Sequence, residues 1–377
     1  MKILHTGDLH LDSAFCAENL KTADGRREEQ RALLRRVFAC AKEEACDLIL
    51  IAGDLFDSRS VTPETAALTE KLLRESTCPV VIAPGNHDPY TEGSFYHTYQ
   101  KKQMPEHVYL FTSNELQCFE IEELQTRVFG YAFSSAFLPQ SPLSGAVMPE
   151  KAGWKHLFCA HADLTSPISR TAPVTEGDLL RANFDYAALG HIHRPPVIDS
   201  ERIRYCGFAE GRSFDELGAG GVWLVTLEEG EAPKLERRIL SEKRYEIEEL
   251  DLSSCMDEAA MSEAIERAIQ KASDRGITHL RLYLVGAADP ELLSVSLVDT
   301  NQNQNRLALC ELQNLTIPVA DGSFLKNDMT IRGAFYRALY PKLTDEDPVV
   351  RRRAAKALRI GLGAIDGRAI PTEEGNE

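Results

Sequence analysis

Apolar residues in the first half of the chain come in short unbroken runs that end in Gly, Asn, Asp or His. "MKILHTGD" predicts a short strand ending at Asp8. Residues 26–45 predict a helix, because Leu34, Phe38, Ala41 and Ala45 share one stripe. "CDLILIAGD" predicts a buried strand running into Gly53-Asp54, and 63–76 predicts a helix with Pro63 near its first turn. "CPVVIAPGNHD" predicts a third strand. Strands that are apolar throughout, in the order βαβαβ, argue for a parallel sheet with helices on both faces.

From about residue 108 the helices thin out. "TRVFGYAF", "WKHLFCAH", "YAALGH", "RIRYCG" and "GVWLVTLEE" predict a second set of strands. The acidic stretch "EEGEAP" at 228–233 predicts a boundary. Beyond it, a strand (245–252), a helix (256–272) and two strands (279–285 and 307–312) predict a small α+β domain, about one hundred residues long. Helices follow near 329–339 and 347–362. The expected organisation is therefore 1–228, 235–325 and 326–377.

Composition adds less. The 377 residues are 43% hydrophobic and 27% charged, as in an ordinary soluble globular protein. A formal charge of −16 argues against a protein that coats nucleic acid, which needs Lys and Arg at the phosphates. It leaves room for an enzyme with a local basic channel or bound cations. Nine scattered cysteines with no CxxC pair suit reduced thiols in a cytoplasm. "MKILHTGDLH" lacks the apolar centre of a signal peptide and no run reaches spanning length, so the expected location is cytoplasmic, with no membrane partner.

The chemistry lies at the strand ends. Asp8 and His10 sit in "GDLH", Asp54 and Asp57 in "GDLFD", Asn86 and His87 in "GNHD", His161 in "FCAH", and His191 and His193 in "GHIH". In an open α/β sheet the site lies outside the carboxyl ends of the strands, where these segments converge. Taken singly, an Asp after Gly is more often a turn or helix cap, and a strand-end His a satisfied, partly buried one. Five such clusters together point to a metal site. Carboxylate, amide and imidazole donors suit manganese, iron or zinc, and the absence of Cys argues against a closed structural zinc. Asp8 with His10, and His191 with His193, are expected to point the same way as i, i+2 pairs in extended backbone.

The motif series DxH, GDxxD, GNHD, a lone His and GHxH resembles the calcineurin-like metallophosphoesterases. The flanks "HTGDLHLD", "DLILIAGDLFD" and "LGHIHRP" resemble the SbcD-type DNA repair exonucleases, and "YCGFAEGRSFDELGAGGVWLV" a YhaO-like branch of that group. The resemblance implies an α/β fold: a two-sheet αββα sandwich with a smaller C-terminal α+β capping domain. It implies two divalent metal ions, manganese first, iron or zinc as alternatives. Asp8, His10 and His193 would hold one, Asn86, His161 and His191 the other, and Asp54 would bridge. His87 would protonate the leaving group, with Asp57 orienting its ring. The implied activity is DNA phosphodiester hydrolysis, most readily as an exonuclease. A phosphatase or cyclic-nucleotide phosphodiesterase on the same site, and a catalytically weak regulatory subunit of an ATPase complex, are the rivals. Where SbcD-type chains read Tyr-Pro-Gly-Ser, this one has Tyr205-Cys206-Gly207-Phe208.

Arg212 in "EGRSF" is a candidate for phosphate contact. Arg26, Arg27, Arg31, Arg35 and Arg36 crowd the first helix, and pairing with Glu28 and Glu29 is the plainer reading than DNA contact. The basic segment 350–368, with Ala354, Ala355, Leu358 and Leu362 at helical spacing, reads either as a helix docked on its own domain or as a partner-binding one. The resemblance supplies the partners: DNA, an SbcC-like coiled-coil ABC-type ATPase bound through C-terminal helices, and a second copy in a homodimer.

Overall fold

The computed structural model describes residues 1–15, 20–146, 148–149, 151–255, 257–286, 307–316 and 322–365. They divide into two units, one of 1–212 and 219–242, the other of 213–218 and 243–377.

The first unit holds two sheets. In the first, β1 (Lys2–Thr6), β2 (Leu48–Ile51), β3 (Val80–Ile82) and β4 (Val108–Leu110) run parallel in that order. The second contains β5 (Gln117–Ile121), β6 (Thr126–Gly130), β7 (Lys155–His161), β8 (Tyr186–Gly190) and β9 (Ile203–Tyr205), parallel from β6 to β9. Strand β10 (Gly218–Thr226) pairs antiparallel with β1, and β11 (Lys234–Asp251) lies beyond it. Residues 228–233 form the turn between β10 and β11, and the chain passes from one unit to the other within β11. The strand expected at 245–252 is the second half of this longer one.

The strands are apolar throughout because both of their faces are buried. Ile3, Leu48, Leu50 and Val81 meet Val128, Leu157, Tyr186 and Ala188 in a core between the sheets. Leu4, Ile49, Ile51 and Val80 point the other way, onto α1 (Leu20–Glu43), α2 (Pro63–Arg74) and α3 (Phe95–Lys101). The outer face of the second sheet packs Phe158, Ala160, Ala187 and Leu189 under α4 (Glu176–Arg181). The first unit is thus an αββα sandwich, and the chain is α/β in class. Truncating a fully buried residue such as Leu50 to Ala costs about 2–5 kcal/mol. Helix α2 starts where its sequence says it should: Pro63 is the first helical residue, and Thr62 Oγ1 accepts from Thr65 N–H. The arginines of α1 are engaged within the first unit. Arg31 and Arg35 pair with Glu28, Arg26 with Glu29, and Arg36 with Glu210 and Glu242.

In the second unit, residues 245–251 of β11 pair parallel with β12 (His279–Val285), which pairs parallel with β13 (Leu309–Asn314). Helix α5 (Glu258–Asp274), capped by Asp257, lays Met261, Ile265 and Ile269 against Leu280, Leu282 and Leu284. Three helices follow: α6 (Gly322–Asn327), α7 (Ile331–Leu339) and α8 (Pro348–Ile365). The apolar stripe of α8 is covered within its own unit, Leu358 and Leu362 packing with Leu325 and Tyr336. Arg368 lies outside the described residues. Among the described residues no helix is long and apolar enough to cross a membrane.

Candidate metal centre

All the expected site residues come from the first unit, and five parallel strands deliver all but Arg212. Strand β1 leads to Asp8 and His10, β2 to Asp54 and Asp57, and β3 to Asn86 and His87. Strand β7 ends on His161, and β8 leads to His191 and His193. The backbone that presents four of them is not extended. Asp8, His10 and Asp54 have φ of 49°, 46° and 48°, and His191 has 105°. The i, i+2 argument from extended backbone is therefore corrected: Asp8, His10, Asp54 and His191 sit in positive-φ turns just beyond the strands, while His161 is the last residue of β7. Two glycines make room there. A Cβ on Gly53 (φ 88°) would overlap the His161 ring, and one on Gly85 would overlap the Asp54 carboxylate.

Two groups of donors result. His10 Nε2 lies 3.1 Å from His193 Nε2, and Asp8 Oδ1 is 3.8 Å from the latter. On the other side, His161 Nε2 is 2.9 Å from Asn86 Oδ1 and 3.2 Å from Asp54 Oδ2. The same Asp54 Oδ2 is 3.7 Å from His10 Nε2, so this carboxylate stands between the two groups. Ligand atoms gather within 4.8 Å in three sets: Asp8, His10 and His193; Asp8, Asp54 and His161; and His10, Asp54 and His87. His191 belongs to none of these sets. Its ring lies 4.9 Å from that of His161, with Nε2 taken up by Thr171 Oγ1 at 2.9 Å.

The electrostatics of the centre favour a positive charge. Asp8 and Asp54 are only 3% and 2% exposed. Burial alone would push His161 down, yet the carboxylates of Asp54 and then Asp8 raise it to about 9. For Asp54 burial works upward, and the charge on His161 and His10 overcomes it and holds the group below the ordinary carboxylate range. His191 is pushed down to about 4 by burial and by the charge on His161. Buried carboxylates, an amide oxygen and converging imidazole nitrogens form a donor set fitted to two borderline-hard divalent cations. Asp8, His10 and His193 would hold one, Asn86 and His161 the other, and Asp54 both.

Outer contacts hold these side chains. His161 Nδ1 donates to Ala52 O at 3.1 Å, which turns Nε2 inward. Asp57 departs from its expected role. Its carboxylate Oδ1 accepts from His10 Nδ1 at 3.0 Å, and it is the Asp57 backbone carbonyl that takes His87 Nδ1, at 3.1 Å. The Asp57 carboxylate is 3.8 Å from His87 Nδ1. The turn at Asp57 puts its carbonyl, not its side chain, toward His87. His87 itself is 46% exposed at the side chain, with its ring edge-on to His10 at 4.8 Å. Asn86 and His87 do point different ways, the first to His161 and the second to Asp57. Arg212 reaches the rim, 3.4 Å from both Asp57 Oδ1 and His193 Nδ1.

Three residues escaped the sequence reading. Asp88 is 2% exposed and accepts from Gly85 N–H, Phe56 N–H and the Tyr96 hydroxyl. It locks the "GNHD" turn, and a carboxylate three residues after a turn glycine was the available signal. Burial and the nearby Asp54 push it up to about 7. Cys206 Sγ donates to Asp8 Oδ2 at 3.1 Å, so the residue that replaces Pro in "YCGF" faces a ligand. Thr171 has no motif to announce it.

The sequence model of the calcineurin-like phosphoesterases matches residues 1–195 of this chain. A Bacillus subtilis (strain 168) protein described as an uncharacterized metallophosphoesterase, YhaO, is 27% identical over 307 residues, spanning 78% of this chain and 74% of its own. Among solved structures, a dimetal phosphatase from Danio rerio aligns at 11% identity and a TM-score of 0.39, over 64% of this chain and 96% of that one. With the family match covering more than half its length, the chain belongs to the calcineurin-like phosphoesterases.

Proposed function

We propose that this chain is a two-metal phosphodiesterase that hydrolyses DNA, acting as an exonuclease of the SbcD type. The observation that carries the reading is the place of His87. Its main-chain N–H is tied to Asp54 Oδ1 at 3.0 Å, and its ring stands at the mouth of the centre with Nδ1 held by the Asp57 carbonyl. That leaves Nε2 to give a proton to a departing 3′ or 5′ oxygen, which an alkoxide leaving group needs and an activated ester does not. Arg212, at the same rim, offers a guanidinium to a phosphate oxygen. Two cations held by Asp8, His10, His193, Asn86, His161 and Asp54, manganese by preference, would supply an activated water and offset charge on the non-bridging oxygens. The "GDLHLDS" and "GHIHRPP" flanks support DNA over a small phosphate ester.

The test uses the purified full chain with manganese and end-labelled single- and double-stranded DNA, beside bis-p-nitrophenyl phosphate and p-nitrophenyl phosphate. Metal-dependent shortening of DNA, abolished in Asp54→Ala, is the expected result. Turnover confined to the monoester would mark a phosphatase and overturn the reading.

A further inference from the structure

The carboxylate of Asp8 uses its two oxygens differently. Oδ1 faces the donors of the centre, 3.8 Å from His193 Nε2. Oδ2 is held by groups that are not ligand atoms: it accepts the His191 main-chain N–H at 2.9 Å and the Cys206 thiol at 3.1 Å. Cys206 is buried, and its other acceptor is Gly207 O at 3.3 Å. A thiol has one proton, and the nearer, charged carboxylate takes it. The backbone that aims the thiol is tied on several sides. Cys206 N–H donates to Leu189 O at 2.7 Å, in the strand that leads to His191. Arg237 donates to the carbonyls of Cys206 and Phe208 at 2.6 and 2.9 Å, and Trp223 Nε1–H to that of Tyr205 at 3.0 Å. Gly7 leaves the sulfur its room, since a Cβ there would come 3.0 Å from Cys206 Sγ.

A carboxylate that ligates through one oxygen has to be kept from turning about its Cβ–Cγ bond. Two donors on Oδ2, brought from different strand ends, do this for Asp8. Without the thiol a buried oxygen would keep one bond of two, and the carboxylate would lose one of the two points that set its plane. We propose that Cys206 is a positioning residue: by donating to Asp8 Oδ2, its thiol presents Oδ1 as the ligating oxygen for the cation held with His10 and His193. The proposal rests on the two-cation centre but not on DNA as substrate. It also gives a role to the Cys of "YCGF", which none of the five motifs assigns.

The experiment measures manganese binding to the metal-stripped full chain by calorimetry, for wild type, Cys206→Ala and Cys206→Ser. Wild type should bind two ions. Cys206→Ala loses the donor, and one ion should bind about 10–100-fold more weakly while the other is unchanged, the usual effect of removing an outer partner of a ligand. Cys206→Ser supplies a hydroxyl donor and should restore both affinities. Infrared spectra give a reading that needs no alanine variant. The S–H stretch that disappears in Cys206→Ser should lie below those of the other thiols, as befits a proton bonded to a carboxylate. Two wild-type affinities in Cys206→Ala would overturn the proposal. So would equal weakening of both ions, which would make Cys206 part of the frame alone. A Cys206→Ser variant as weak as Cys206→Ala would assign the effect to the bulk of the sulfur and overturn it too. A Cys206 band at the position of a weakly bonded thiol would do the same, even if Cys206→Ala failed to fold. Wild type binding fewer than two ions would overturn it together with the two-cation reading.

Discussion

The Asp57 carboxylate is bonded to His10 at 3.0 Å, while the nearest it comes to His87 Nδ1 is 3.8 Å. A carboxylate behind a ligating imidazole fixes its tautomer and raises its basicity. Asp57→Asn should therefore weaken manganese binding about 10–100-fold and slow DNA and bis-p-nitrophenyl phosphate alike, with both rates recovering at high manganese. Titration of the metal-stripped variant checks this. Unchanged metal affinity with a loss confined to DNA would return Asp57 to the service of His87.

His87→Ala should keep both metals and lose DNA hydrolysis by about a hundred- to ten-thousand-fold, the usual contribution of a general acid. The loss should shrink on the p-nitrophenyl diester, whose leaving group needs little protonation. Metal content decides the alternative raised by the approach of His87 to His10 and Asp54, since loss of an ion would make His87 a ligand.

Asp88→Ala strips the partners from two buried backbone N–H groups and from the Tyr96 hydroxyl. Each orphaned group costs about 1–3 kcal/mol, so urea denaturation should show a loss of about 3–9 kcal/mol. A change below about 1 kcal/mol would show that water replaces the carboxylate.

His5 is fully buried between the sheets, 2.9 Å from the Tyr186 hydroxyl and 3.2 Å from Leu189 O. Burial, then the charge on Arg237, lowers it to about 3, against 6.5 for an exposed imidazole. The unfolded chain therefore binds the proton first. The contribution to stability is complete above pH 6.5 and is lost as pH falls toward 3, roughly 2 kcal/mol of it by pH 5. His5→Gln should flatten the acid limb of stability against pH over that window. An acid limb as steep as in wild type would clear His5 of the effect.

The strand ends were legible because β1, β2, β3, β7 and β8 are each buried on both faces, and such runs stop sharply at Gly or at a polar residue. The meeting of those ends followed from the parallel order. What the sequence could not carry was the local turn: whether Asp57 offers its side chain or its carbonyl to His87 depends on backbone angles, not on spacing. The partners from distant segments were equally silent. Cys206 meets Asp8 across the join of the two sheets, and Thr171 meets His191 from a loop whose residues read as ordinary turn formers. The stripe on α8 illustrates the converse, since its spacing was plain and its occupant was not.

Three ligand positions, 8, 10 and 54, hold φ between 46° and 49°, a conformation that costs a side-chain-bearing residue about 1 kcal/mol and glycine nothing. Glycine at 8 or 54 would relieve that cost but orphan the main-chain N–H of His191 or His87, at about 1–3 kcal/mol each, so a screen scored only on heat resistance would keep both carboxylates even with the chemistry gone.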